Sequence, residues 1–519
     1  MDLADLRTGA REGNAAGLHD ETARLHGERL AVEYHGSEMT HGELKAESDR
    51  FAGALADAGL EPGAVLLQYL PNCPAYLIGS LGAFKAGVVT SPVNPQYRER
   101  ELEYQLRDTG ASAVLTHAAL LEHLDAAVDR IDRDPLIVTV GEETRGTRSF
   151  SEFRGEPTLV ERADDDVALL PYTSGTTGEP KGVELTHRNF RAQMYSVLGQ
   201  PREVADEDVR SLVWLPLYHI TGFTHTAWQP LIRGGATFLR SAANWDADAA
   251  MELVEREGIT KFVGVTAMYV DMVESESFGE YDLSSLESVS EGGAKMSVAV
   301  QERFEEVAGV EMDEGYGLTE THGATHSQIN STFGLRHGTV GQPLRMIDCR
   351  VVDESGADVQ PGETGELLVR GPTVMKGYHG MPEKTAEAFT ERGYFKTGDI
   401  VRRDPENYYE IVDRKKHTIN SAGYNIYPSE LEELLAEHEA VAEGAVVGVP
   451  DERRNEVPKA FVVPATGVKP GEDVTEEEIK DFFLDRVAAY KHPRAVEFIE
   501  RLPRTASGKI QKHKLEPDE

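Results

Sequence analysis

The sequence predicts an α/β protein: a large N-terminal domain of doubly wound sheets over residues 1–413, a short link at 414–416, and a small α+β C-terminal domain over 417–519. That expectation rests on three features. The 519 residues are enough for several packing units and a large buried core. Short apolar runs alternate with helical patterns through most of the chain, the rhythm of parallel strands covered on both faces. After about Asp413 the rhythm changes to capped helices and strand pairs that could form a compact unit of their own.

In order along the chain, Ala64–Leu70 (AVLLQYL) and Gly87–Val93 (GVVTSPV) read as strands, and CPAYLIGSLGAFKAG between them as a buried helix. Ala111–Leu115 and Leu136–Val140 add two strands, and Val167–Tyr172 (VALLPY) a third. GVEL after Lys181 is strand-like, and Thr186 is an N-cap candidate for a helix beginning HRNF. FVGV (262–265) and Val289–Gly293 continue the pattern. Asp413-Arg414-Lys415-Lys416 is a charged link. Beyond it, Thr418–Tyr427 is a strand or extended loop. Ser429 with Glu432, and Thr475 with Glu478, have the spacing of capping boxes. AVVGV (445–449) and AFVV (460–463) are the last strands.

Ninety acids face 53 bases, for a formal charge of −37, and only 17 of those bases are lysine. Such a surface repels nucleic acid and anionic membrane. It also repels itself until molar salt shortens the Debye length to about 3 Å. Acid excess with scarce lysine points to a salt-rich cytoplasm. No apolar run approaches the roughly 18 residues of a membrane span, and the polar start MDLADLRTGAREGN lacks the layout of a signal peptide. Cys73 and Cys349 are the two cysteines, too few for a disulfide framework. The expected location is therefore cytoplasmic.

Tyr172–Val183 reads YTSGTTGEPKGV. Glycines and hydroxyls in such a loop can point several N–H groups at one anion. Gly175 and Lys181 have the Walker A spacing, but Pro180 replaces its second glycine and Gly182 its magnesium-binding hydroxyl. Strand, loop, strand is the expected context, with no helix N-terminus waiting for phosphate. Alone, the stretch could be a solvated loop. Four others accompany it: LPLYHITGF (215–223), GGA (292–294) followed by EGYGLTE (314–320), GYFKTGD (393–399) with DRKKHTINSAGY (413–424), and LPRTASGK (502–509). Each has a dull reading singly, as a core histidine, a turn or an exposed tip.

In this order the five stretches resemble the AMP-forming acyl-CoA synthetases, the superfamily that includes firefly luciferase and nonribosomal peptide adenylation domains. The resemblance runs from about Leu30 to Lys514 and is nearest to fatty acyl-CoA ligases. It implies that ATP and a carboxylate form an acyl-adenylate and pyrophosphate, and that coenzyme A then takes the acyl group. Negative charge gathers between two anions in the first step, so cations and N–H donors matter more than a protein nucleophile. The resemblance also implies a β-barrel-like subdomain in the large domain and a mobile small domain.

Residue by residue, it places Thr173, Ser174, Gly175, Thr176, Thr177, Gly178 and Lys181 on the leaving phosphates. Gly292, Gly293 and Ala294 would let adenine lie against backbone, with Tyr316 between Gly315 and Gly317 stacked on the ring. Asp399 would accept the ribose hydroxyls with Arg414 beside it. Lys509, Thr319, Glu320 and His219 are the expected catalytic set, Glu320 binding Mg²⁺, a hard cation that prefers carboxylate. Lys416 would be the hinge about which the small domain turns between half-reactions. Ser421, Ala422, Gly423 and Tyr424 would then line the coenzyme A tunnel.

His219, Val265, Thr266, Gly317, His322 and Gly323 are expected in the acyl pocket, Gly317 leaving room where acetate-specific members place tryptophan. A medium or long fatty acid is the first expectation and an aryl acid such as a cinnamate or benzoate the second. Asn420 stands where the luciferase-like branch has lysine, which argues against light emission. YHITGF lacks the acid with which amino-acid-activating members pair an amino group. No carrier domain follows Glu519, although a separate carrier protein stays open as acceptor. A non-catalytic sensor would be expected to have lost Lys509 or Glu320, and both are present. His322 and His326, with His219 and His225, complete no zinc motif and read as pocket lining. Partners are thus small molecules, with a homodimer left open.

Overall fold

The computed structural model describes residues 12–142, 144–173, 180–196, 205–292, 296, 298–329, 331–422, 424–451, 453–504 and 510–515. The chain divides into two compact units. The first is Met1–Cys349 with Val369–Phe395, and the second is Arg350–Leu368 with Lys396–Glu519. The strands bearing Asp399 and Arg414 therefore group with the C-terminal residues, as does Lys416.

Two large sheets build the first unit. One orders its main strands Gly377–Tyr378, Lys181–Thr186, Val167–Leu169, Val89–Val93, Val65–Tyr69, Ala113–His117, Leu136–Val140 and Arg148–Ser149. The pairs from Val89–Val93 through Leu136–Val140 are parallel. Val65–Tyr69 is buried along its whole length, which is why it reads as a continuous apolar run rather than an alternating one. The expected helix is Pro74–Ala86, buried at every position from Ala75 on, with proline in its first turn and Gly87 closing it in the left-handed region. The run Val167–Tyr172 is not one strand. It breaks after Leu169 and resumes at Tyr172–Thr173, because Pro171 has no N–H for the ladder.

The other sheet runs Gln342–Pro343, Gly323–Ser327, Met312–Leu318, Ser288–Gly292, Lys261–Gly264, Arg210–Val213, Ala236–Leu239, Leu30–Tyr34 and Ser37–Thr40. Its core packs Leu212, Phe238, Val254, Phe262, Tyr269 and Phe304. Burying each such side chain contributes roughly 1.5–3 kcal/mol.

The second unit holds most of a four-stranded sheet, Asp348–Val352, Thr364–Arg370, Phe395–Arg403 and Tyr409–Arg414, which is the form the expected barrel-like part takes. It also holds a five-stranded, mainly antiparallel sheet built on the long hairpin Val441–Asp451 and Asn455–Pro464. Helices Pro428–Ala436 and Glu476–Leu484 cover that sheet through Leu431, Leu435, Ile479 and Phe483. The capping box at Thr475 and Glu478 is present. The one expected at Ser429 is not. The helix starts at Pro428, the Ser429 N–H donates to the buried Asp413 carboxylate, and Glu432 accepts from the Val446 N–H. Asp413 is accordingly an anchor within the second unit rather than part of an open link.

Candidate active site

The phosphate-loop stretch is the connection of a β-hairpin. Thr173 pairs with Lys181 and Tyr172 with Gly182, so strand, loop, strand is as expected. Ser174, Gly175, Thr176, Thr177 and Gly178 lie outside the described residues. Helix Glu99–Thr109 braces the hairpin: the Tyr104 hydroxyl donates to Pro180 O at 2.7 Å, and the Tyr172 hydroxyl donates to the Asp108 carboxylate. Thr186 caps helix His187–Ser196 as expected, accepting from the Asn189 N–H.

On its other side the Lys181 strand pairs with Gly377–Tyr378, Val183 opposite Tyr378. The Lys181 ammonium sits 4.3 Å from the centre of the Tyr378 ring. The Tyr378 hydroxyl donates to Glu320 Oε1 at 3.0 Å, and Met375 N–H donates to Glu320 O at 2.8 Å. His379 completes the seam. Its Nδ1 lies 2.9 Å from Glu184 Oε1, and its N–H donates to Gly182 O. The bond to Glu184 raises the His379 pKa, burial opposing it. None of Tyr378, His379 and Glu184 was singled out by the sequence. They lie far from the motifs in the chain, and GYHG carries no spacing signal.

Thr319 and Glu320 occupy a single helical turn, Thr319–Thr321, at the end of strand Met312–Leu318, which also carries Gly315, Tyr316 and Gly317. Among the described residues Glu320 Oε2 has no partner, so the carboxylate keeps one hard oxygen for a cation such as Mg²⁺. Gly292 pairs with Gly315 across the sheet, and among the described residues a Cβ there would approach only Gly315 O, at 3.9 Å. No described side chain therefore crowds the Gly292 backbone. Gly293 and Ala294 lie outside the described residues. Tyr316 packs edge-on against His326, centroids 5.7 Å apart, and Cys349 Sγ lies 3.6 Å from His326 Nε2.

The expected acyl residues fall into two surroundings. His219 is exposed and lies two residues before a π-helix, Thr221–Trp228, a widened turn often found at functional sites. Thr266 donates to Glu291 Oε1 at 2.9 Å just after Val265. Room at Gly317 is not present. A Cβ there would stand 2.0 Å from Gly323 O, because strand Gly323–Ser327 folds back onto it, and one at Gly323 would meet His225 Nε2 at 2.5 Å. His322 is fully buried at φ 56°, edge-on to Phe190, and neither ring nitrogen has a hydrogen-bond partner. Burial, with His225 nearby, lowers its pKa to about 3, so the ring is neutral.

In the second unit, Asp399 and Arg414 face each other across adjacent strands, with Arg414 Nε 2.7 Å from Asp399 Oδ1. The Asp399 side chain is buried and Arg414 about two-fifths exposed, an orientation that fixes the carboxylate. Lys416 lies in a short helical turn, Lys415–His417. Ser421 and Tyr424 end the two strands of a hairpin, Ala422 between them at φ 52°, and Tyr424 stacks on Tyr490 at 4.7 Å. Gly423 and Lys509 lie outside the described residues.

A lysine-bearing hairpin inside one large α/β sheet thus lies beside a carboxylate turn at the end of a strand of the other, an arrangement that can hold a polyphosphate and its metal. Residues 19–379 match the family described as AMP-binding enzyme, and residues 430–509 match the AMP-binding enzyme C-terminal domain. The chain belongs to that family. It is 38% identical over 490 residues to feruloyl-CoA synthase of an Amycolatopsis species, covering 94% of this chain and 96% of that one. It is 34% identical over 534 residues to the long-chain-fatty-acid–CoA ligase of Bacillus subtilis strain 168, covering 97% and 94%. Among solved structures, the anthranilate CoA ligase AuaEII in complex with anthranoyl-AMP aligns with a TM-score of 0.87 at 27% identity, covering 97% and 96%.

Proposed function

We propose that this protein is an AMP-forming acid–thiol ligase joining a carboxylic acid to coenzyme A. One observation carries the reading: Lys181 beside the phosphate hairpin and the Glu320 carboxylate converge on Tyr378. A cation for the leaving phosphates and an oxygen ligand for their metal are thereby brought to one place. The acid's carboxylate oxygen attacks the α-phosphorus of ATP and pyrophosphate leaves. The thiol of coenzyme A then attacks the acyl carbon, loses its proton, and AMP leaves. Mg²⁺ held by Glu320 would supply charge neutralisation on the phosphates. Thr173 and Lys181 bind the departing pyrophosphate, Thr319 a phosphate oxygen, and Tyr316 with Gly292 the base. The carboxylate of Asp399, oriented by Arg414, accepts the ribose hydroxyls.

Lys509 serves the first step, and Ser421, Ala422 and Tyr424 with Gly423 serve the second, exchanged by rotation at Lys416. These roles follow the family pattern. In mass-spectrometric assays Lys509→Ala is expected to lose adenylate formation while still thiolating supplied acyl-AMP. Equal loss of both half-reactions would refute the two-position scheme.

The acid is an aryl acid of the hydroxycinnamate kind. The support is His322, a neutral imidazole with a donor and an acceptor both unmet. A ring substituent bearing hydroxyl or ether oxygen could satisfy them, whereas an alkyl chain would leave them bare. A medium or long fatty acid is the second reading, favoured by the apolar rings of Phe190, Phe223 and Trp228 packed together nearby. A panel of fatty and aryl acids with Mg-ATP and coenzyme A in molar KCl separates them by kcat/KM. Pyrophosphate release without acyl-CoA would instead point to a carrier-protein acceptor. The working compartment is a salt-rich cytoplasm.

A further inference from the structure

We infer that Tyr378 is a positioning residue that holds Lys181 and Glu320 apart, each facing the nucleotide phosphates, in a site still without nucleotide. The inference rests on the ligase reading given above. Lys181 and Glu320 carry opposite charges and meet one phenol at different points, its ring face and its hydroxyl. The ammonium is over the ring face at 4.3 Å, and the carboxylate takes the hydroxyl proton at 3.0 Å. Without such a spacer two charges this near each other would be drawn into a pair. Paired, the lysine would be lost to phosphate and the carboxylate to metal.

The spacer is well fixed. Tyr378 is 8% exposed, its N–H donates to Thr385 Oγ1 at 2.9 Å, and its strand pairs with the lysine's own strand. The peptide three residues earlier holds the other party, through Met375 N–H and Glu320 O. One short segment, residues 375–379, thus touches the phosphate strand at Gly182, Val183 and Glu184 and the metal-binding turn at Glu320.

Tyr378→Phe keeps the ring under Lys181 and removes only the bond to Glu320. Tyr378→Leu removes both. Mn²⁺·ATP binding, followed by electron paramagnetic resonance, and the Mg²⁺ dependence of acid-dependent ATP–pyrophosphate exchange are measured for wild type and both variants, with thermal melts as a check on folding. Tyr378→Phe is expected to raise the metal concentration for half-saturation about tenfold, as loss of a hydrogen bond to a charged group does. KM for the acid should stay unchanged. Tyr378→Leu is expected to raise KM for ATP as well. A Tyr378→Phe protein that melts like wild type and needs no more metal overturns the inference while leaving the ligase reading intact. Wild type that binds no metal–ATP overturns both. Exchange that fails with every acid while Mn²⁺·ATP still binds, and binds about tenfold more weakly to Tyr378→Phe, refutes the ligase reading and upholds the spacer.

Discussion

Several histidines are held neutral by burial. The pKa values of His41, His187 and His225 fall to about 4, and those of His322 and His326 to about 3. Their folded values lie below the unfolded value of 6.5, so unfolding takes up protons once the pH is below that point. Their contribution to stability is present above pH 6.5 and is lost as pH falls toward 4, each group costing up to about 1.4 kcal/mol per pH unit. His379 has the opposite sign: its pKa is raised, so the Glu184 pair supports the fold at low pH and weakens as pH rises through the raised value. The buried set is larger and more deeply enclosed, and it wins. Melting temperature is expected to be flat above about pH 6.5 and to drop steeply by pH 5, before most carboxylates titrate. A melt unchanged between pH 7 and 5 would mean these rings are hydrated in the folded state. The candidate site residues legible in the sequence are those in motifs, such as Lys181, Glu320 and Asp399. Tyr378 was not legible, because its bond to Glu320 spans 58 residues and its contact with Lys181 spans more.

Among elements, the sequence-legible ones were those whose burial leaves a one-dimensional trace. Val65–Tyr69 and Leu136–Val140 are apolar runs because covered parallel strands need them, and helix Pro74–Ala86 is apolar all round because it is buried all round. What misled was chemistry decided by distant neighbours. Ser429 and Glu432 have cap spacing, yet Asp413 and Val446 take their groups. Gly317 looked like space until strand Gly323–Ser327 was laid against it. Gly317→Ala is therefore expected to lower stability rather than merely narrow a pocket, since the clash is with backbone. Helix Pro74–Ala86 makes a cleaner test. A Cβ at Gly82 would stand 2.8 Å from Phe51 Cδ1 and 3.0 Å from Ser48 O. Gly82→Ala gains about 1 kcal/mol of helix propensity, but overpacking costs about 1–3 kcal/mol. Gly82→Val gains less and clashes more, so urea melts should place it below Gly82→Ala, and both at or below wild type. A clearly stabilised Gly82→Val would mean that this helix and helix His41–Asp57, which carries Ser48 and Phe51, part without cost.

For the whole molecule, the net charge of −37 sets the conditions of work. Many acids are already paired at the surface, as Glu430 is with Lys491 and Glu366 with Lys415. Such exposed pairs contribute little individually, and the remaining excess is self-repulsion that salt screens. Melting temperature should rise between low and molar KCl, whereas a flat or falling trend would remove the case for a salt-rich setting. Among the described residues, no helix is long and apolar enough to cross a membrane.

The two cysteines differ in a way that offers a tool. Cys73 is enclosed, its thiol pushed up to about 11 by burial, and will react slowly with alkylating reagents. Cys349 is half-buried and leans on His326, which in turn touches the Tyr316 ring. A fluorophore attached to the native chain should therefore settle at a single position, two rings away from where the nucleobase is expected, and brighten or dim as nucleotide comes and goes.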